Sequence, residues 1–179
     1  MLRFILSASL LLLLASAAGA QVTLDPAAAK HLREQAEESS RAFMEGNYER
    51  LADFTHPKIV ELMGGREKLA EVVRKGMVEM TTQGYETLSY TPAAEPTQVL
   101  REGRELYAIL PARLRMRTPA GIYVSESFMI AVSGDDGKSW RFVSGATADA
   151  ARLKLLMPQV ADKLKLPTVR SYPEPEKKP

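Results

Sequence analysis

The hydrophobic pattern of this chain changes its period at Gln83-Gly84, and this change constrains the fold more than any other feature. Over residues 66–82 the apolar positions recur at intervals of three and four, which is the period of an amphipathic helix. From residue 85 onwards apolar and polar residues alternate, which is typical of β-strands, and short turns rich in Pro, Gly and Asp separate the runs. The sequence therefore predicts an α+β fold with an antiparallel meander. Its strands are predicted at residues 85–91, 97–101, 105–117, 122–132 and 140–144.

Shorter elements are predicted before this region. Asp25 followed by Pro26 is typical of a helix start, so a first helix is expected over residues 26–43. A second helix is expected over residues 48–55, ending before Pro57. The apolar residues between Pro57 and Gly64-Gly65 predict a short strand over residues 58–63.

Both ends of the chain differ in composition from the middle. Residues 1–20 combine Arg3, an apolar run and Ala18-Gly19-Ala20, which is typical of an export signal cleaved near Ala20. We therefore expect a periplasmic or extracellular protein without stable membrane insertion. Residues 21–166 are expected to form one domain that ends in two short helical stretches divided by Pro158. The Pro- and Lys-rich tail, residues 167–179, has little to bury and is expected to be mobile.

Composition excludes several classes of function. The chain has no Cys, so thiolate nucleophiles, thiolate metal sites and lipid-anchored cysteines are excluded. Its 24 basic and 22 acidic residues are too evenly balanced for a protein that binds nucleic acid through phosphate contacts. His31 and His56 lack metal-binding spacing, and His31 is expected to be solvated. No metal or cofactor is expected.

The order of elements, together with Phe54-Thr55-His56-Pro57, the run Ile59-Val60-Glu61-Leu62 and Gly64-Gly65, resembles the nuclear transport factor 2-like superfamily (cystatin-like cone, SnoaL-like) over about residues 35–145. The resemblance implies a strongly curved antiparallel sheet that wraps the helix containing Val72 and Met77 and leaves a cavity at its open end. The superfamily includes isomerases, dehydratases, hydrolases and non-catalytic binding domains, so the fold alone implies no reaction.

Residues 105–117 carry apolar side chains on both faces of the predicted strand. A strand of this kind is normally covered on both sides, so we expect helices on one face and a second copy of the chain on the other, as the dimers of the superfamily suggest. Pro111 cannot donate a ladder hydrogen bond and predicts a bulge. One face has Leu106, Ala108, Leu110, Ala112, Leu114 and Met116, and the other has Tyr107, Ile109, Arg113, Arg115 and Arg117.

Candidate site residues come from this hairpin and from the segment before Pro57. A regular turn over residues 118–121 places Arg113 opposite Glu126, either as a structural ion pair or as a ligand contact. His56 is a candidate general base oriented by Asp53, or simply a residue at a helix end that bonds nearby backbone. The candidate catalytic residues are His56, Asp53 and Glu126, and the candidate ligand-binding residues are Arg113, Arg115, Tyr90 and Tyr123.

Residues 133–140 fit the pattern S-x-D-x-G-x-x-W, which resembles the Asp-box of sialidases. A single copy cannot build a propeller, so we expect a structural hairpin in which Asp135 accepts loop amides, Gly137 has a positive φ and Trp140 anchors the returning strand. The methionines of the long helix are expected to fill the core rather than to bind a metal. Taken together, the sequence favours non-catalytic binding of a small apolar or amphipathic ligand, or of a protein partner. The alternative is a cofactor-free cavity enzyme of isomerase, dehydratase or hydrolase type.

Overall fold

The computed structural model describes residues 20–175, so the predicted export signal lies outside the described residues except for Ala20. The first helix begins where the sequence predicts, because the Asp25 carboxylate accepts hydrogen bonds from the Ala27 and Ala28 amides, both at 2.9 Å. The helices are α1 (Pro26–Met44), α2 (Tyr48–Phe54), α3 (Pro57–Leu62), α4 (Arg66–Thr82) and α5 (Ala150–Leu156).

The strands form one strongly curled antiparallel sheet with the shape of a half-barrel, which confirms the α+β class. Five strands follow the order β1-β3-β4-β5-β6, while β2 pairs with the far part of β4 and β7 pairs with the far part of β5. The strands are β1 (Ala20–Gln21), β2 (Glu86–Pro92), β3 (Gln98–Glu102), β4 (Glu105–Thr118), β5 (Gly121–Ser133), β6 (Arg141–Ser144) and β7 (Arg170–Pro173).

The β4–β5 hairpin keeps one register along its whole length, and Arg113 lies opposite Glu126 as predicted. The predicted bulge at Pro111 is wrong, because the register of β4 shifts only against β2, between Thr87 and Ser89. Pro111 lies where the neighbour of β4 changes from β3 to β2, and only its carbonyl is used there, by the Ala93 amide at 2.7 Å. Its missing N–H would point into this gap, so no ladder bond is lost.

The near part of this hairpin, residues 105–112 and 127–133, is buried on both faces and is called the core half. Its inner face packs against α1 and α2 through Leu32, Ala36 and Phe54. Its outer face, which includes Tyr107 and Ile130, packs against α5 and the turns that follow it. The two-sided apolar pattern predicted a second subunit on one face of this strand, but the core half of that face is covered by this chain's own C-terminal segment. The covering residues are Leu153, Leu156, Met157, Val160 and Leu164.

The helix α4 does not lie inside the curl of the sheet, which corrects the prediction for Val72 and Met77. It packs on α2 and α3, and the side chain of Val72 is 43% exposed. Exposed ion pairs also span this contact, including Arg74 with Glu49 at 2.7 Å. The amphipathic period was correct, but a period shows only that a helix has an apolar face. The sheet's inner face is instead covered by α1, which packs on it through Leu32 and the small Ala36.

The predicted strand over residues 58–63 is also wrong, because Pro57–Leu62 is the helix α3. A short apolar run between Pro and Gly fits a strand or a helical turn equally well by periodicity. The decision comes from the helix start: Pro57 occupies the first turn, and the His56 ring nitrogen Nδ1 accepts the Lys58 amide at 3.3 Å.

The first half of the predicted mobile tail is an ordered part of the sheet. Strand β7 lies antiparallel beside β5 and adds a strand to the sheet, with Arg170 paired with Glu126 and Tyr172 paired with Val124. Its attachments are backbone hydrogen bonds and polar side-chain contacts, including a hydrogen bond between the Ser171 and Ser125 hydroxyls at 3.1 Å. The small number of apolar residues did not show that the segment lacks structure, because strand pairing satisfies backbone groups without burying apolar area.

Candidate functional site

A cavity of about 1040 Å³ lies on the outer face of the sheet, beyond the end of the C-terminal cover. It lies where the core half meets the far part of the β4–β5 hairpin, residues 113–118 and 121–126, which is called the open half. One wall is the sheet and the other is the segment 167–174, called the strap. This outer cavity is open to solvent. It is lined by Ser89, Thr91, Pro92, Ala93, Thr97, Pro111, Ala112, Arg113, Arg115, Glu126, Ser127, Pro167, Thr168, Arg170 and Glu174.

Three of the predicted site residues meet in this cavity: Arg113, Arg115 and Glu126. Alternation along β4 places Arg113 and Arg115 on the same face, and the regular hairpin sets Glu126 across from Arg113. The predicted position of Arg113 opposite Glu126 is confirmed, because it depends on strand period and turn length alone.

The strap supplies a carboxylate that binds Arg115. The guanidinium donates through Nε to Oε1 of Glu174 at 2.8 Å and through Nη2 to Oε2 at 2.7 Å. Two parallel hydrogen bonds of this kind are the geometry in which arginine recognises carboxylates. The bonds to Glu174 raise the pKa of Arg115 above its usual value. The cavity thus already contains one occupied carboxylate position.

The remaining charges of the cavity are less fully matched. Glu126 accepts a hydrogen bond from the Tyr172 hydroxyl at 2.9 Å, and this bond raises the pKa of Tyr172. Among the residues that the structure describes, Arg113 and Arg170 form no ion pair within 4.0 Å. The cavity therefore presents two guanidinium groups that are available to an anion.

The two predicted tyrosines do not reach the outer cavity. Tyr90 lies on the inner face, where its ring meets Phe43 edge-on at 6.0 Å, and burial raises its pKa to about 12. Tyr123 pairs with Met116, which also belongs to the inner face. The sheet separates both tyrosines from Arg113, so the predicted ligand-binding set is divided between two faces.

His56 and Asp53 do not form the predicted catalytic pair. Asp53 binds Arg66 at 2.8 Å and Arg50 at 3.5 Å. His56 caps α3 with its ring and donates its backbone amide to the Phe142 carbonyl at 3.0 Å. Burial lowers the pKa of His56, although the charge of Glu105 opposes this shift. These contacts are those of a residue at a helix end that bonds nearby backbone, which was the structural alternative for His56. Neither His56 nor Asp53 lines the outer cavity.

The S-x-D-x-G-x-x-W segment forms the structural hairpin that the sequence predicts. Asp135 accepts the amide and the hydroxyl of Ser139 at 2.9 and 2.7 Å, and Gly137 has a φ of 84°. Trp140 is fully buried, and its indole N–H donates to the Gly137 carbonyl at 3.1 Å. His31 is not simply solvated, because its Nδ1 lies 3.2 Å from that same carbonyl.

Sequence reasoning missed the strap, which contributes Arg170 and Glu174 to the lining and Tyr172 beside Glu126. A signal was present, since residues 170, 172 and 174 alternate as strand residues do and all carry long polar or amphipathic side chains. None of these three residues is aliphatic, so an argument from apolar burial gave no reason to predict a strand here.

A metal-binding group and a membrane-spanning helix are both absent from the part of the chain that the structure describes. Within residues 20–175, no three His, Cys, Asp or Glu side chains lie together as a group that could hold a metal ion. No helix in this range combines the length and apolarity needed to cross a bilayer. Comparison with protein-family models, with curated proteins and with solved structures found no match.

Proposed function

We propose that this chain is an exported, non-catalytic binding protein that holds a small amphipathic molecule in the outer cavity. The observation that carries the proposal is the cavity itself, which lies between the sheet and the chain's own strap and is open to solvent. Its volume of about 1040 Å³ is in the range of small-molecule sites, which run to roughly 1000 Å³. The site lies on the opposite face of the sheet from the helix-filled side that the family resemblance implies.

The lining matches a molecule with one apolar and one polar end. Pro92, Ala93 and Pro111 offer rigid apolar surface near the junction with the core half. Arg113 and Arg115 lie further along the same strand and offer charge. Binding at such a site removes apolar area from water while the polar end keeps its hydrogen bonds.

Export and superfamily membership are also proposals. Export is supported by the composition of residues 1–20, and membership is supported by the sequence resemblance and by the α+β class with a curled sheet. The position of α4 on α2 departs from the wrapped helix that the resemblance implies.

A second candidate is a cofactor-free enzyme that uses Glu126 as a general base. It is favoured by one observation, which is that Glu126 lies in the cavity with its carboxylate bonded to the Tyr172 hydroxyl. A carboxylate, a phenol and an arginine are groups that proton-transfer enzymes use. If the chain is such an enzyme, the molecule recovered with Glu126→Gln will differ chemically from the one recovered with the unaltered chain.

The test is native mass spectrometry of the protein produced in and purified from its native host. We expect a small molecule to be retained, and Ala93→Trp, which places a bulky indole in the cavity, to weaken its retention. Ala94→Trp is the matched control, because Ala94 is the next residue and lies outside the lining. Absence of any retained molecule, or equal retention by the two variants, would contradict the proposal. The same spectra report the number of subunits and so test the expected homodimer.

A further inference from the structure

We infer that the polar end of the ligand is a carboxylate, and that it competes with the carboxylate of Glu174 for Arg115. This inference rests on the proposed function, because it names the ligand class of the same cavity. It also assigns a second role to the strap, which is then both a wall of the cavity and a built-in competitor for its anion position.

The first argument is the geometry at Arg115. Both oxygens of Glu174 are bound by one edge of the guanidinium, at 2.8 and 2.7 Å. A planar group with two oxygens satisfies this fork completely, whereas an alcohol or an amine cannot. The folded chain therefore shows, with its own side chain, which chemical group this position accepts.

The second argument is the charge around that position. Arg113 lies two residues before Arg115 on the same face, and no ion pair to it is found among residues 20–175. An incoming carboxylate would gain Arg113 as a second cation. Glu126 opposes an anion, but it already faces Arg113 across the hairpin and bonds the Tyr172 hydroxyl.

The third argument is the weak attachment of the strap. Its strand β7 pairs with β5 over four residues, and none of its side chains is buried. The side chains of β7 make polar contacts, including the Tyr172–Glu126 and Ser171–Ser125 bonds, and Glu174 directly after the strand donates its amide to the Ile122 carbonyl at 2.8 Å. Exposed polar contacts of this kind contribute little to stability, so the strap can be displaced at small cost.

The experiment measures binding of four eight-carbon probes by titration calorimetry: octanoate, octyl phosphate, 1-octanol and octylammonium. We expect octanoate to bind at least tenfold more tightly than octanol, because two carboxylate oxygens match the fork and a single hydroxyl does not. Arg115→Gln should abolish this preference and Arg113→Gln should reduce it. Arg117→Gln is the matched control, because Arg117 lies on the same strand and face but outside the lining, paired with Glu86. Tighter binding of octyl phosphate than of octanoate would overturn the carboxylate assignment.

Competition is tested with Glu174→Gln, which removes the competing charge and keeps the side chain's size. We expect octanoate to bind about five- to tenfold more tightly, the range expected when one exposed bidentate ion pair no longer competes. Ser171→Ala is the control, because it loosens the strap without freeing Arg115. An equal gain with Ser171→Ala, or an equal gain for octanol, would overturn competition at Arg115.

Hydrogen exchange gives a second measure that does not depend on affinity. Octanoate should speed exchange of the amides of residues 170–172, because their strand is released when Glu174 is displaced. Slower exchange would show that the ligand closes the strap, and would overturn the inference. The two proposals fail differently: equal binding of octanol and octanoate overturns the carboxylate alone, while no binding of any probe removes the cavity function as well.

Discussion

The core half and the open half of the β4–β5 hairpin belong to the same two strands, in one unbroken register, yet they differ in almost every physical property. The core half is buried on both faces, whereas most residues of the open half are partly or fully exposed. The difference lies in the cover, because the C-terminal segment packs over Ile109 and Ile130 but does not extend over Arg113. One hairpin thus serves as the protein's core at one end and as a candidate site at the other. Strand pairing alone therefore does not decide whether a sheet face is buried in the core or left exposed as a candidate site.

The largest expected effect compares two isoleucines on the outer face of β5. Ile130 is fully buried in the core half, whereas Ile122 is half-buried in the open half. Ile130→Ala should lower the free energy of unfolding by about 2–5 kcal/mol because it leaves a cavity. Ile122→Ala should cost about 1 kcal/mol. Urea unfolding, followed by the fluorescence of the single Trp140, measures both, and equal losses would show that the two halves are not distinct.

The turn after the core half of β5 is expected to tolerate no side chain at Gly137. A Cβ there would lie 2.4 Å from the Ala28 Cβ, and the φ of 84° disfavours other residues. Gly137→Ala should therefore lower the free energy of unfolding by roughly 2–4 kcal/mol. Gly103→Ala is the control, because it has a φ of 59° with open space around it and should cost about 1 kcal/mol. If both variants lose the same amount, α1 does not pack on this turn.

Acid should weaken the same turn through Asp135. Burial raises the pKa of Asp135, but hydrogen bonds from Ser139, Ser133 and the Lys138 amide outweigh burial and lower it to about 2, against an ordinary 3.8. Because the folded chain binds this proton less tightly than the unfolded chain, the stabilisation is complete above about pH 4 and is lost as the pH falls toward 2. It amounts to about 1 kcal/mol after allowance for solvent screening.

The measurement is the free energy of unfolding between pH 2 and 6 for the unaltered chain and for Asp135→Asn. The difference between the two should be present at pH 6 and should vanish near pH 2. Other carboxylates, including Glu71, titrate in both proteins and cancel in this difference. A constant difference across the range would show that the Asp135 charge does not contribute.

The smallest expected effect is on α4, which lies outside both halves of the hairpin. Val78 is 60% exposed on this helix, so Val78→Ser should change the free energy of unfolding by no more than about 0.5 kcal/mol. Leu69→Ala is the comparison, because Leu69 is one of the two buried residues of α4 and its truncation should cost about 2 kcal/mol. A loss of 2 kcal/mol at Val78 in urea unfolding would mean that another surface covers this side of the helix.

The candidate site was predictable only where it depended on local rules. Arg113, Arg115 and Glu126 were found because strand alternation and a two-residue turn place them together without reference to the rest of the chain. Arg170 and Glu174 were missed because their position depends on where the tail returns to the sheet, more than 40 residues later in the chain. Tyr90 and Tyr123 were grouped with the arginines by residue type, although alternation already assigned Tyr123 to the other face.

Most helices and strands follow directly from the amino-acid pattern, because period, caps and turn residues act over a few neighbouring positions. The start of α1 at Asp25, the full extent of α4 and the β4–β5 register all belong to this group. The packing partners do not follow from it: α4 has an apolar face that would suit a sheet or a helix equally well. Which surface covers each apolar face depends on contacts between distant segments, and those contacts placed α1 inside the sheet, α5 outside it and the strap beside Arg115.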